Sequence, residues 1–205
     1  MVHPLIVIGF VGGFVAHDDG VHGEVQLAKR LHDTTGVEMR MFENRRGADA
    51  HREVLRLLDS NKDGTLSPEE KESARIAIYG HSWGASETVT LARALAREQI
   101  PVLLTIQVDS VRKLGEDDEW IPSNVTQAVN FYQSDGLLHG RPLIRATDAT
   151  RTQILGNYRI DYKAKPVSCP GYPWFARVFM KPHIEIESDP AVWQQVERLI
   201  RSKLQ

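Results

Sequence analysis

Short apolar runs and helically spaced apolar positions take turns along this chain. Residues 5–8 (LIVI), 75–79 and 100–108 (IPVLLTIQV) carry the aliphatic and β-branched stretches of buried strands. Residues 37–43 and 125–132 read as two further strands. Between them the spacing changes to three and four: Val25, Leu27, Ala28 and Leu31 within 24–32, Val54, Leu55, Leu57 and Leu58 within 51–58, and Val89, Leu91, Ala92 and Leu95 within 85–98. A last helix over 190–204 is predicted to bury Val192, Trp193, Val196, Leu199 and Ile200 on one face. Segments 143–146 and 153–162 alternate around the polar stretch 147–152, which predicts a β-hairpin or an arm lying on the body. Residues 116–120 read as an acidic, solvated loop. Residues 166–175 read as a loop whose aromatics either line a pocket or pack over the core.

The length of 205 residues favours one domain, 1–205, of α/β size with a substantial core. A formal net charge of −2 gives no reason to expect nucleic acid or an anionic membrane as partner. No apolar run reaches the ~18 residues of a membrane-spanning helix. The chain opens on a strand without a charged-then-apolar leader, so it reads as cytoplasmic; an exported protein already relieved of its signal would read the same. The single cysteine, Cys169, excludes an internal disulfide and reads as a buried bystander rather than a nucleophile.

One stretch carries chemistry in its spacing. Residues 74–85, ARIAIYGHSWGA, run from a strand through Gly80-His81-Ser82-Trp83-Gly84 into a helix. G-x-S-x-G in that context is the pattern of a nucleophile elbow. The tight turn needs small residues at 80 and 84, lifts the Ser82 hydroxyl off the strand end, and points the Trp83 N–H toward the same space. A second backbone donor is expected from the glycine-rich loop after the first strand, GFVGG, with the N–H of Phe10 or Val11 as candidates. The G-x-G-x-x-G spacing of a dinucleotide loop is absent there, and no organic cofactor is expected.

A second motif occupies residues 59–70, DSNKDGTLSPEE. It matches the calcium-loop pattern of an EF-hand, with Asp59, Asn61, Asp63, Thr65 (through its carbonyl), Ser67 and Glu70 as the oxygen ligands and Gly64 at the sharp turn. A single loop followed by only a short helix does not suit a paired sensor. It suits a Ca2+ staple on the segment that feeds the elbow strand.

An acid and a base complete the pattern. Asp109 follows the 100–108 strand directly, and Asp135 follows the next strand; either could orient a histidine, with Asp109 preferred. Among eight histidines, His183 stands in the expected loop before the last helix, where the order Ser…Asp…His puts its base. His81 is expected to support the turn rather than act. His17, His22 and His139 are expected at most to rim the cleft, without zinc-ligand spacing.

With GHSWGA, GFVGG and PHIEIESDP in view, the chain resembles the α/β-hydrolase superfamily in a compact lipase/esterase-like form. That resemblance implies an α/β fold, a mostly parallel sheet with helices on both faces, and a Ser–His–acid triad at the C-terminal strand edge. It departs from the pattern in having Ile8-Gly9 where His-Gly is familiar, and in lacking a long insertion for a cap domain. It implies a serine hydrolase acting on carboxylic esters. The rivals are a thioesterase or acyltransferase with the same triad, and a non-catalytic calcium-binding domain on the same fold. Substrate and oligomeric state are not legible.

Overall fold

The computed structural model describes residues 3–204, apart from the side chains of Phe175 and Ala176. The elements run β1 (Leu5–Val11), α1 (Gly23–His32), β2 (Val37–Glu43), α2 (Gly47–Leu58), α3 (Pro68–Glu72), β3 (Ile76–His81), α4 (Trp83–Arg97), β4 (Val102–Val108), β5 (Trp120–Ile121), β6 (Val125–Tyr132), β7 (Arg145–Ala146), β8 (Gln153–Arg159), α5 (Trp174–Phe179), α6 (Lys181–Ser188) and α7 (Pro190–Arg201). Six strands form one sheet in the order β2-β1-β3-β4-β6-β8, and its pairings are parallel.

Because successive strand residues face opposite ways, each central strand feeds two cores. Leu5, Val7, Ala77, Tyr79, Leu104 and Ile106 face α1 and α7, where they meet Leu27, Leu31, Trp193 and Val196. Ile6, Ile8, Ile76, Ile78 and Val102 face α2 and α4, where they meet Val54, Leu58, Val89 and Leu95. Burial on both faces explains why these strands read as continuous apolar runs. The described helices include none long and apolar enough to cross a membrane.

Two expectations are corrected. Residues 153–162 are not half of a hairpin: β8 is the parallel edge strand beside β6, and β7 pairs in parallel with β5 in a separate two-stranded sheet. The alternating pattern there is that of an edge strand with one half-covered face. Residues 116–120 are not merely solvated either. Asp118 is fully buried, accepting from Ser110 Oγ and from Arg141 Nε at 2.6 Å each.

The glycines of the elbow are set by close approach. A Cβ on Gly80 would overlap the Gly84 carbonyl, and one on Gly84 would overlap the carbonyl oxygen of Phe10 on the neighbouring strand. Gly84→Ala is therefore expected to push α4 off β1 and to lower the unfolding free energy by about 1–3 kcal/mol, the usual cost of overpacking. Urea denaturation monitored by circular dichroism checks it; an unchanged midpoint would contradict the packing described.

Candidate active site

Ser82 is the residue between β3 and α4, and its backbone sits at φ 56°, ψ −123°. A non-glycine residue holds that left-handed conformation only where its surroundings enforce it. Here the Ser82 N–H donates to Val108 O on β4 at 3.0 Å, while Ser82 O accepts the first helical amides, from Ala85 and Ser86. The side chain is thereby turned off the sheet, 6% exposed, toward a cleft.

His183 reaches the same point from α6. The sequence pattern placed it in a loop; the structure has it in a short helix, because Pro182 falls in the first turn, where a missing N–H costs nothing. Asp189 then caps α7, accepting from Ala191 N at 2.8 Å, and Trp193 Nε1 on α7 donates back to Glu187 O at 2.6 Å. These contacts fix the hinge between the two helices and with it the height of His183.

Ser82 Oγ–H donates to His183 Nε2 at 3.0 Å, and His183 Nδ1–H donates to Asp109 Oδ2 at 2.6 Å. Asp109 also holds a left-handed backbone, φ 48°. Its fully buried carboxylate accepts from Gln133 N, Gln133 Nε2 and Gly140 N at 3.0, 2.8 and 2.8 Å. Asp135, the other candidate acid, instead pairs with Lys163 Nζ at 2.8 Å on the surface. The structure thus brings Ser82, His183 and Asp109 together and leaves Asp135 out. Burial is the largest influence on His183 and, with His81 beside it, holds it below the ordinary imidazole value against the Asp109 hydrogen bond.

Phe10 and Val11 are the expected backbone donors beside Trp83. Phe10 and Val11 lie inside β1, in register with Phe42 and Glu43, and their carbonyls face Gly84. The cleft is lined instead by Gly12, Gly13, Phe14 and Val15, the residues that follow. Gly12 N donates to Glu24 Oε1 at 3.4 Å, and Val15 N to Gly12 O at 3.3 Å. Trp83 opens α4, where the first amides have no intrahelical partner. Its ring meets Phe14 edge-on at 5.5 Å.

The cleft is about 420 Å³, and Phe14, Trp83, Val111, Leu138, Met180 and Ile184 give it an apolar lining. Of the 166–175 loop, Tyr172 reaches this cleft; Phe175's side chain lies outside the described ones. Tyr172 and Glu187 form a wall shared with a larger cavity of about 660 Å³, which no atom of Ser82, His183 or Asp109 lines. Cys169 is buried beside that cavity, and burial pushes its thiol up.

Sequence reasoning missed a buried charged layer behind His183. His22 Nδ1 donates to Glu187 Oε1 at 2.5 Å, the Tyr172 hydroxyl donates to Glu187 Oε2, and ligand-type atoms of His22, Glu24 and Glu187 lie within 4.8 Å of one another. Burial pushes Glu24 up to about 7, with Glu187 adding to it. His81, expected only to support the turn, packs its ring on His183 at 4.6 Å between centroids. One signal was available: Glu187 stands four residues after His183, hence on the same helix face. Glu24, next to Val25 in the first turn of an amphipathic helix, gave none.

The 59–70 loop turns its carboxylates on its own amides. Asp59 accepts from Asp63 N and Gly64 N, Asn61 Oδ1 from Asp63 N, and Asp63 from Thr65 N, at 2.9–3.2 Å. Glu70 accepts from Ser60 N and Ser67 N at 2.8 and 3.0 Å and closes a capping box with Ser67 at the start of α3. Gly64 has φ 85°, the turn that only glycine takes freely. The residues offer hard oxygen donors, the type calcium takes, and in this structure those oxygens are turned to the loop's own amides. Leu66 packs against the core between the sheet and α2 and α4.

No family model and no curated protein matches the chain. Among solved structures it is similar to an arylesterase, at 12% identity and a TM-score of 0.54, over 99% of this chain and 77% of that one. Human thioesterase 2 matches at 11% identity and TM-score 0.45, over 97% and 95%. A dienelactone hydrolase-like promiscuous phosphotriesterase from metagenomic libraries matches at 15% and 0.42, over 98% and 87%. The sheet order, the helices on both faces and the first of these likenesses define the α/β-hydrolase fold.

Proposed function

We propose that the protein is a serine hydrolase that cleaves carboxylic esters with small, uncharged, apolar acyl groups. The observation that carries this reading is the hydrogen-bonded chain Ser82–His183–Asp109, at 3.0 and 2.6 Å, opening into an apolar cleft. Its strained serine backbone favours a working site over a lapsed one, since such strain persists where function uses it.

His183 Nε2 takes the Ser82 proton as Oγ bonds to the ester carbonyl carbon, and Asp109 holds the imidazole with its proton on Nδ1. The oxyanion receives the N–H of Trp83 and an amide of the Gly13–Phe14 turn, each worth about 3 kcal/mol in such sites. As the carbonyl re-forms, the C–O bond to the alkoxide breaks and His183 returns its proton to that oxygen. Water then repeats the sequence on the acyl-enzyme and restores Ser82. A thiol or alcohol acceptor would use the same residues, and product analysis with each acceptor separates those outcomes.

Calcium, in this reading, is structural. Asp59, Asn61, Asp63, Ser67 and Glu70 would hold it with the Thr65 carbonyl, fixing the segment between α2 and β3.

Three outcomes follow. Ser82→Ala is expected to stay folded and to lower kcat/KM toward p-nitrophenyl butyrate by about 1,000-fold or more; full turnover in that variant contradicts the proposal. Asp109→Asn should cost a comparable factor, and Asp135→Asn less than about threefold, in parallel assays of variants checked for folding. In a sample shown to contain calcium, a chelator should lower the Tm by several degrees, and should no longer do so in Glu70→Gln. An identical Tm with and without chelator would remove calcium from the account.

A further inference from the structure

The imidazole of His81 lies 33° off parallel to that of His183, with centroids 4.6 Å apart, and both residues are 2% exposed. Two rings in such contact, shielded from water, constrain each other's position and feel each other's charge. His81 is the last residue of β3, so its place is fixed by the strand that also presents Ser82. His183 and Glu187 stand one turn apart on the same face of α6. The helix that delivers the proposed base thus also delivers a carboxylate to the far edge of His81.

Glu187 Oε1 lies 3.4 Å from His81 Nδ1, an ion-pair contact outside hydrogen-bond geometry, and neither ring nitrogen of His81 has a hydrogen-bond partner among the described residues. A neutral imidazole would gain little at such a place; a cation gains the attraction of Glu187. The other titratable groups facing His81 are Glu24 from α1, Asp109 from the tip of β4, and His183 itself, while His22 and Tyr172 share Glu187.

We propose that His81, packed on His183 and faced by Glu187, is a positioning residue that orients His183 and keeps it in its unprotonated, proton-accepting form. The chemistry of the site supports a role of this kind. Burial, the largest single influence, pushes His81 down, but the carboxylates of Glu187, Glu24 and Asp109 together outweigh it and raise His81 above the ordinary imidazole value. A cation against the ring disfavours a second proton charge on His183. His183 therefore stays available to accept the Ser82 proton in mildly acidic solution, and releases that proton readily to the departing alkoxide.

The rate consequence rests on the serine-hydrolase reading; the effect on His183 does not, and the test reads both. The His183 ring is titrated by NMR in the wild-type protein, His81→Asn and Glu187→Gln, and kcat/KM for p-nitrophenyl butyrate is followed against pH in the same samples. Asn retains a neutral donor near the Nδ1 position and removes the charge. His81→Asn is expected to raise the His183 midpoint by about one pH unit, a tenfold change in its protonation equilibrium, and the acid limb of kcat/KM should move with it. Glu187→Gln removes the partner of His81 and also a carboxylate that itself raises His183, so it should raise the midpoint by less than His81→Asn does, and in the His81→Asn background it should lower it. Should His81→Asn fail to fold, His81→Gln, which also removes the charge, is read against the same limits. For the His81 variant, a rise of less than about half a unit, or a fall, overturns the proposal, as does a uniform loss of rate with an unmoved acid limb. If the His183 midpoint shifts as expected but the wild-type protein turns over no ester, the hydrolase reading fails and the role of His81 stands.

Discussion

The backbone of Ser82 carries the strain that the surrounding fold is arranged to hold. At φ 56° and ψ −123° a serine gives up about 1–3 kcal/mol relative to an ordinary conformation. Its amide is tied to β4, its carbonyl to the first turn of α4, and the glycines at 80 and 84 let strand, turn and helix approach backbone to backbone. Asp109, at φ 48°, is enforced in the same way at the end of β4, where Gly140 lies against it and donates to its carboxylate. Two of the three hydrogen-bonded residues therefore sit in left-handed backbone at the same sheet edge. The third, His183, arrives from a helix whose hinge with α7 is fixed by Asp189 and Trp193.

Charge is arranged with comparable care. Asp109 is fully buried, yet three N–H donors besides His183 share its charge. Behind His183, Glu187 stands among His22, His81 and Tyr172, and the two histidines hold it well below the usual carboxylate range despite burial. Glu24 is less well compensated, and one of its oxygens has no hydrogen-bond partner among the described residues. Buried carboxylates are costly unless protons or cations accompany them. The imidazoles beside them supply those protons.

Much of this could be read along the chain because the strands that carry the site are buried on both faces. Such strands leave unbroken apolar runs, and the turn between β3 and α4 admits so few residue types that Gly80 and Gly84 mark it. Asp109 was legible from its place at a strand tip, but Asp135 had the same credentials; only the three-dimensional approach of Gln133 and Gly140 separates them. Nothing in GFVGG reveals that β1 continues through Val11 before the chain turns, so the residues that line the cleft there, Gly12 to Val15, were not legible. Residues 153–162 misled because an edge strand and a hairpin strand share one alternation. Glu24 and the side of Tyr172 that meets Glu187 lie beyond any local pattern, because contacts across 15 to 165 positions make that cluster.

The central claim is that Ser82 is an activated nucleophile. Mass spectrometry after exposure to a fluorophosphonate tests it most directly, with Ser82→Ala as the control, on folded protein supplied with calcium. The account predicts one adduct per chain, mapped to Ser82 and absent from the variant. No adduct on the wild-type protein, or equal labelling of both, would contradict it and leave a fold that carries the geometry of a hydrolase without its reactivity.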